Sequence, residues 1–454
     1  MKTDAFLDRL MSKAKKAGFE AAEAYVTSGD SSRFTVFEGE VVASSMHTTT
    51  GLSFRAMLGG RLGYASTEAL DDESIDMLVD RARDNARTVQ DEDEQFIYAP
   101  DGAYGAVEGA FDEELATSVT PATLVEGCLT MEKAAKEKDA RVLRLPHCTG
   151  GYGAGDVRIV NTRGLDVSHR DNMAYYVAVA AVDGGNGEMI TGGHFWAGNT
   201  VRDMRPADVG VQAVEEAIGY VGAHGVPGGR YPVVFSREAW AALLATFAGV
   251  FCADNAQKGL SLLKGREGEA IANPLITLID DPLLARGFQS RPFDDEGVPS
   301  HRKEIIAGGT LTTLLHNLKT ANIQGVKTTG NASKAGYTAP VGVSAFNFYL
   351  KPGDNTPAEL YKQMGKGLLI KEMEGLHAGA NAVSGDFSLL SKGFLVEDGM
   401  PVRPVNQITI AGNFYDILKE VVALGNDLWF DMPSGSGACG GPSVLVDGVS
   451  VAGE

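Results

Sequence analysis

A chain of 454 residues with 40 Lys and Arg against 59 Asp and Glu carries a formal net charge of −19. The length exceeds one ordinary core and predicts two domains, and the acidity weighs against direct binding to DNA or to an anionic membrane. Apolar (44%) and charged (22%) fractions are those of a globular protein, but 56 glycines are nearly twice the usual share of about 7% and predict many tight turns in a β-rich fold. The N-terminal MKTDAFLDRLMSKAKKAGFE has no continuous apolar run of the secretory kind. Nothing approaches the ~18 apolar residues of a membrane-spanning helix. Cys128, Cys148, Cys252 and Cys439 form no CxxC pair and fit a reducing compartment, so a cytoplasmic location is expected.

In chain order, Leu7, Leu10, Met11 and Ala14 follow a helical period, with Gly18 as the stop. Strand-like runs come next at 34–45, with a turn at Glu38-Gly39, and at 51–58 and 60–66. Asp71 or Asp72 caps a second helix whose apolar face is Ile75, Leu78, Val79, Ala82 and Ala86. After an acidic, aromatic-bearing loop at 91–115 the order recurs. Thr120-Pro121 opens a helix to about Lys138, strands are predicted at 141–147, 157–161, 165–170 and 174–183, and Pro206 starts another helix. Helix, β-meander, helix, used twice, predicts a duplicated α+β unit over 1–224. HGVPGGRYP at 224–232 is the expected linker. Beyond it YPVVF leads through Ser236 into a helix, and LITLID, SAFNFYL, GFLVED, VNQITIAG and SVLVDGVSVAG are short strands. They predict a β-rich, barrel- or sandwich-like domain over 225–454.

Several chemistries find no support. The eight His lie too far apart for HExxH or HExxxH. GVKTTGNA (325–332) has the glycine spacing of a phosphate loop, but Asn331 and Ala332 stand where Lys and Ser or Thr are needed. No GxSxG or sequence-adjacent Cys/His pair signals a nucleophile. Asp280-Asp281 and Asp294-Asp295-Glu296 precede turn residues and are read as solvated carboxylates that also cap backbone N–H groups. The stretch from Leu376 to Leu418 joins a loop crowded with Gly, Asn and Ser to strand-like runs and a helix start. Such a loop suits positive φ or close backbone approach to a ligand.

That stretch, HAGANAVSGDFS…PVNQITIAGNFYDIL…LGNDL, resembles the TldD/PmbA family, as do EGEVVASS…GLSFRAMLGGRLGYAST, KGLSLLKGREGEAIANPLITLIDDP, RPFDDEGVPSHRKEIIAGGTL and the TTGNAS run. The resemblance runs nearly end to end and implies a two-domain α+β protein that assembles as homo- or heterodimers. In its TldD branch a zinc protease carries HExxxH on a helix and draws a Cys ligand from the C-terminal region. The helix implied here is Leu243 to Gly259, with Ala245 and Val250 at the two His positions and Thr246 at the Glu. None of the three can ligate zinc or act as a general base. Cys439, in the comparable C-terminal region, is read as structural. This pattern resembles the PmbA/TldE branch and implies no cofactor, no metal ligands and no catalytic residue in this chain. Its expected role is that of a non-metal subunit beside a TldD-like zinc protease paralogue, acting on unfolded peptide, with His377, Asn381 and Asp386 as peptide-binding residues. The alternative is a homodimeric peptide- or protein-binding modulator related to DNA gyrase, acting through protein and without proteolysis.

Overall fold

The computed structural model describes residues 2–89, 94, 96–185 and 187–453. The part of the acidic loop at 91–93 and 95 lies outside them. The first half is α1 (Thr3–Lys16), β1 (Ala21–Phe37), β2 (Glu40–Leu58), β3 (Arg61–Thr67) and α2 (Asp72–Thr88), then α3 (Glu113–Ser118), α4 (Pro121–Lys138), β4 (Val142–Asn161), β5 (Asp166–Gly185), β6 (Glu188–Gly198) and α5 (Pro206–Gly219). The two meanders join through antiparallel β1 and β4 into one sheet of order β3-β2-β1-β4-β5-β6. Helix, meander, helix is indeed used twice. The predicted starts hold. Asp71 accepts from Ser74 N, Thr120 accepts from Thr123 N, and Glu38 and Gly39 both take positive φ, as a two-residue hairpin turn requires.

The strands are longer than predicted. The runs at 34–45 and 51–58 belong to β1 and β2, which reach through the polar stretch SSMHTT because each residue there pairs across the hairpin. The runs at 141–147 and 157–161 are one strand, as are those at 165–170 and 174–183. GGYGAG at 150–155 separates the two predicted runs yet is no break in the strand. Instead its glycines make room: a Cβ on Gly151 would sit 2.3 Å from Tyr175 Cζ, and one on Gly150 would sit 2.7 Å from Tyr176 Cε1. β6, within EMITGGHFWAG, was not predicted, and the expected linker at 224–232 is already strand from Gly229.

Side-chain alternation explains how this sheet is used. Ala22, Ala24 and Val26 on β1 point with Phe34 and Val36 to the face covered by helices, where they join the apolar clusters built on α1, α2, α4 and α5. Glu23 and Tyr25 point to the other face, with Ser53 and Arg55 of β2 beside them. That face receives the C-terminal part of the chain: Tyr25 and Ile159 pack with Phe293 and Val298.

The C-terminal part begins with β7 (Gly229–Phe235) and α6 (Arg237–Phe247). β7 runs parallel to Gly367–Glu374 and antiparallel to Val444–Ala452. Asp386–Glu397 and Met400–Asn413 continue the ring, which closes between Met400–Asn413 and Val444–Ala452 into a five-stranded barrel. A second sheet includes the parallel pair Asn347–Leu350 and Ala438–Gly441. α6 lies between barrel and sheet, burying Trp240, Leu243, Leu244 and Phe247, and Phe247 stacks on Phe414 at 4.6 Å. Each such side chain contributes roughly 1.5–3 kcal/mol by leaving water. No helix among the described residues is long and apolar enough to cross a membrane.

Candidate functional site: a cleft beside α6

The helix implied for 243–259 is not continuous. α6 ends at Phe247, a 3-10 turn covers Ala248–Phe251, and a short helix follows at Ala253–Gln257. Within that turn Val250 and Phe251 are buried. One face of α6 is committed to the core. The other presents Ala242, Ala245 and Thr246, spaced i, i+3, i+4, to a cleft of about 490 Å³. The far wall is the single helical turn Leu376–Gly379, entered through Gly375 at φ +75. Gly379 lets this turn lie on the barrel, since a Cβ there would meet Ser388 O at 2.4 Å. The floor is the segment from Asp431 through Met432, Ser434, Ser436 and Gly437 to Cys439.

The cleft thus brings together Ala245, Thr246, His377 and Cys439, which lie far apart in the sequence. Val250 is not among them; it is buried in the 3-10 turn. His377 lines the cleft and is exposed. Asn381 and Asp386 do not line it. Asn381 Oδ1 accepts from Val383 N and Ser384 N, and Asp386 Oδ1 accepts from Asn413 Nδ2, so both shape the loop at its rim. The Asn413 and Ser384 hydrogen bonds hold the Asp386 carboxyl below its ordinary range. Asp431, Met432, Ser434 and Ser436 were not foreseen. The only sequence signal for them is the small-residue turn MPSGSG just before Cys439.

Chemically the cleft is sparse. Thr246 Oγ1 donates to Ala242 O at 2.9 Å, so its proton is committed within the helix. The Cys439 thiol is buried and donates to Ser436 O at 3.8 Å. Burial raises its pKa well above the ordinary thiol value, and the Asp280 and Asp431 carboxylates add to the shift. A thiol held protonated is a poor nucleophile. Among the described residues no three His, Cys, Asp or Glu side chains stand close enough to hold a metal ion. The residues present therefore do not fit a zinc centre, which needs three or four such donors.

The acidic turns behave otherwise than expected. Asp280, Asp281, Asp294, Asp295 and Glu296 are all buried, not solvated. Their capping role does hold. Asp294 accepts from Glu296 N, Val298 N and Ala332 N, and Asp281 Oδ1 accepts from Leu283 N. Asp280 Oδ2 accepts from Lys303 Nζ (3.0 Å) and from Asn331 Nδ2 (2.7 Å), which gives Asn331 of the GVKTTGNA run a structural task. Burial, with the neighbouring Glu296 carboxylate, pushes Asp294 up to about 8. These groups anchor the loop that docks on the N-terminal sheet: Tyr25 Oη donates to Asp295, and Arg55 bridges Glu23 (2.7 Å) and Glu296 (3.3 Å).

Three family models match in succession: PmbA/TldA metallopeptidase domain 1 at residues 22–86, the central domain at 114–219 and the C-terminal domain at 228–453. The crystal structure of a candidate modulator of a DNA gyrase from Thermotoga maritima is 32% identical. It superposes with a TM-score of 0.91, covering 99% of this chain and 100% of that one. Metalloprotease PmbA of Escherichia coli O157:H7 is 26% identical over 425 residues, 92% of this chain and 88% of its own length. TldE from Thermococcus kodakarensis, 22% identical with a TM-score of 0.89 over 99% of this chain and 100% of its own, shares the fold. The chain belongs to the PmbA/TldD family.

Proposed function

We propose that this chain is the subunit without a metal centre of a two-component protease, paired with a TldD-like zinc-bearing paralogue and acting on unfolded peptide. The observation that carries this reading is the cleft beside α6. Its position is the one at which the family resemblance places a zinc site, but Ala245 and Thr246 offer no ligand and Cys439 is a buried thiol. What remains is a shaped, mostly apolar hollow that suits an extended peptide better than a reaction centre. His377 contacts the peptide from the wall. Asn381 and Asp386 contact it at the rim, where Asn381 Nδ2 has no partner among the described residues. Relatives named as metalloproteases of both the PmbA and TldD kinds support a link to proteolysis.

The test is hydrolysis of an unfolded peptide by the purified chain, by its TldD-like paralogue and by the two together. The expected result is no activity from this chain alone, a gain in the mixture, and loss of that gain with Thr246→Trp, which fills the cleft. Chelator-sensitive hydrolysis by this chain alone overturns the reading, as does a mixture no more active than the paralogue.

A further inference from the structure

Asp431 has a distinct place in the cleft. Its backbone N–H donates to Cys439 O at 2.9 Å, which fixes the residue on the floor, and its Oδ1 accepts from Met432 N at 2.7 Å. Its Oδ2 has no hydrogen-bond partner and its carboxylate no cation among the described residues. It is the one carboxylate, and no Lys or Arg stands with it, among the described residues that line the cleft. The same cleft is lined by the apolar Ala242, Ala245, Leu376 and Met432 and by the hydroxyls of Ser434 and Ser436. Partial burial raises the Asp431 pKa, and the Glu238 carboxylate adds to the shift, with no counter-ion to offset it.

We propose that Asp431 is a recognition site for an organic cation on the bound peptide, either its free α-ammonium or the side chain of a Lys or Arg. A metal ion would need further donors that are not grouped here. An ammonium or guanidinium needs one free carboxylate oxygen and apolar surface for its carbon stem, and the cleft supplies both. The cleft also continues. Ser434 and Gly437 line both it and a second hollow of about 490 Å³, so a ligand anchored at Asp431 has room to extend. The proposal rests on reading the cleft as peptide-binding.

The experiment is calorimetric titration of the full chain, alone and with its TldD-like paralogue, using unstructured Gly/Ser/Ala peptides. One carries a free N-terminus and norleucine, one is N-acetylated with a Lys at the same position, and one is N-acetylated with norleucine and so has no cation. The expected result is binding about ten-fold or more tighter for one or both cationic peptides than for the neutral one, the size of a charge-assisted hydrogen bond. Which cationic peptide gains identifies the cation's source. Asp431→Asn keeps the acceptor for Met432 N and is expected to remove the gain. In the wild-type chain the gain is expected to shrink with added salt while neutral-peptide binding does not, a readout that does not depend on the variant's folding. Equal binding of all three peptides, or a preference that survives Asp431→Asn, overturns the Asp431 assignment and leaves the cleft as a peptide site. No binding of any peptide overturns both.

Discussion

At the scale of single residues, the most consequential group outside the cleft is Arg55. It lies on the sheet face turned away from the helices, is 3% exposed, and holds Glu23 and Glu296. Desolvation works against its charge, but the two carboxylates outweigh it, so the guanidinium stays ionised. Deleting one member of a buried charge group leaves the others uncompensated, which costs more than the group gains by existing. Arg55→Met is therefore expected to destabilise the chain by roughly 3–5 kcal/mol in urea unfolding. Adding Glu296→Gln to that variant should return part of the loss, because one stranded charge is removed. A loss below about 1 kcal/mol, the range of exposed pairs, would show that the group is solvated in solution.

At the scale of elements, the two meander units share a packing device. A Cβ on Gly63 of β3 would lie 1.8 Å from Ala82 O of α2, and one on Gly192 of β6 would lie 2.1 Å from Ala217 N of α5. In each unit a glycine on the outer strand lets the closing helix rest directly on the sheet. Gly192→Ala is expected to cost roughly 1–3 kcal/mol in thermal or urea unfolding, as overpacking does. Gly153→Ala, on β4 with nothing within 4 Å of the added carbon, should be near neutral. The same glycines mark how far the sequence could be read. Helix starts were legible because caps are local: Asp71, Thr120 and Ser236 each bond the backbone three residues on. The lengths of β1, β2, β4 and β5 were not, because their polar and glycine-rich middles are held by cross-strand pairing and by tyrosines from the neighbouring strand. At the site, Ala245, Thr246 and Cys439 could be placed through family resemblance. Asp431 could not, because it reaches the cleft only through the pairing of Trp429–Phe430 with Ala438–Gly441.

At the scale of the whole molecule, the sheet face that carries Arg55 is closed by the C-terminal loop through Lys334 as well as through the acidic residues. Lys334 N donates to Asp295, and its ammonium donates to Ser53 Oγ at 2.8 Å and lies 4.6 Å from the Tyr25 ring centroid. It has no ion-pair partner among the described residues. Burial, with repulsion from Arg55, lowers its pKa to about 8, against the pull of Glu23, Asp295 and Glu296. In the unfolded chain the same group keeps its proton to near 10.5. Between these values the unfolded state binds more protons, so stability rises with pH. Other groups oppose this rise: the buried Cys252 and Cys439 thiols keep their protons in the fold, while in the unfolded chain they ionise above about pH 8.5. Near pH 10 the unfolded Tyr25 ionises as well, while the folded one, buried beside Asp295, keeps its proton. Lys334 alone is thus expected to add roughly 2 kcal/mol of stability between pH 8 and pH 10, set against the losses from these groups. Urea midpoints measured across that range check it, with Lys334→Met as the comparison. Relative to the wild type, the variant should lose about that much more stability across the range and, at pH 7, show little loss or a small gain, because the charge it removes is one that folding desolvates without pairing. A pH slope identical in wild type and Lys334→Met would remove Lys334 from the contact that ties the C-terminal loop to the sheet.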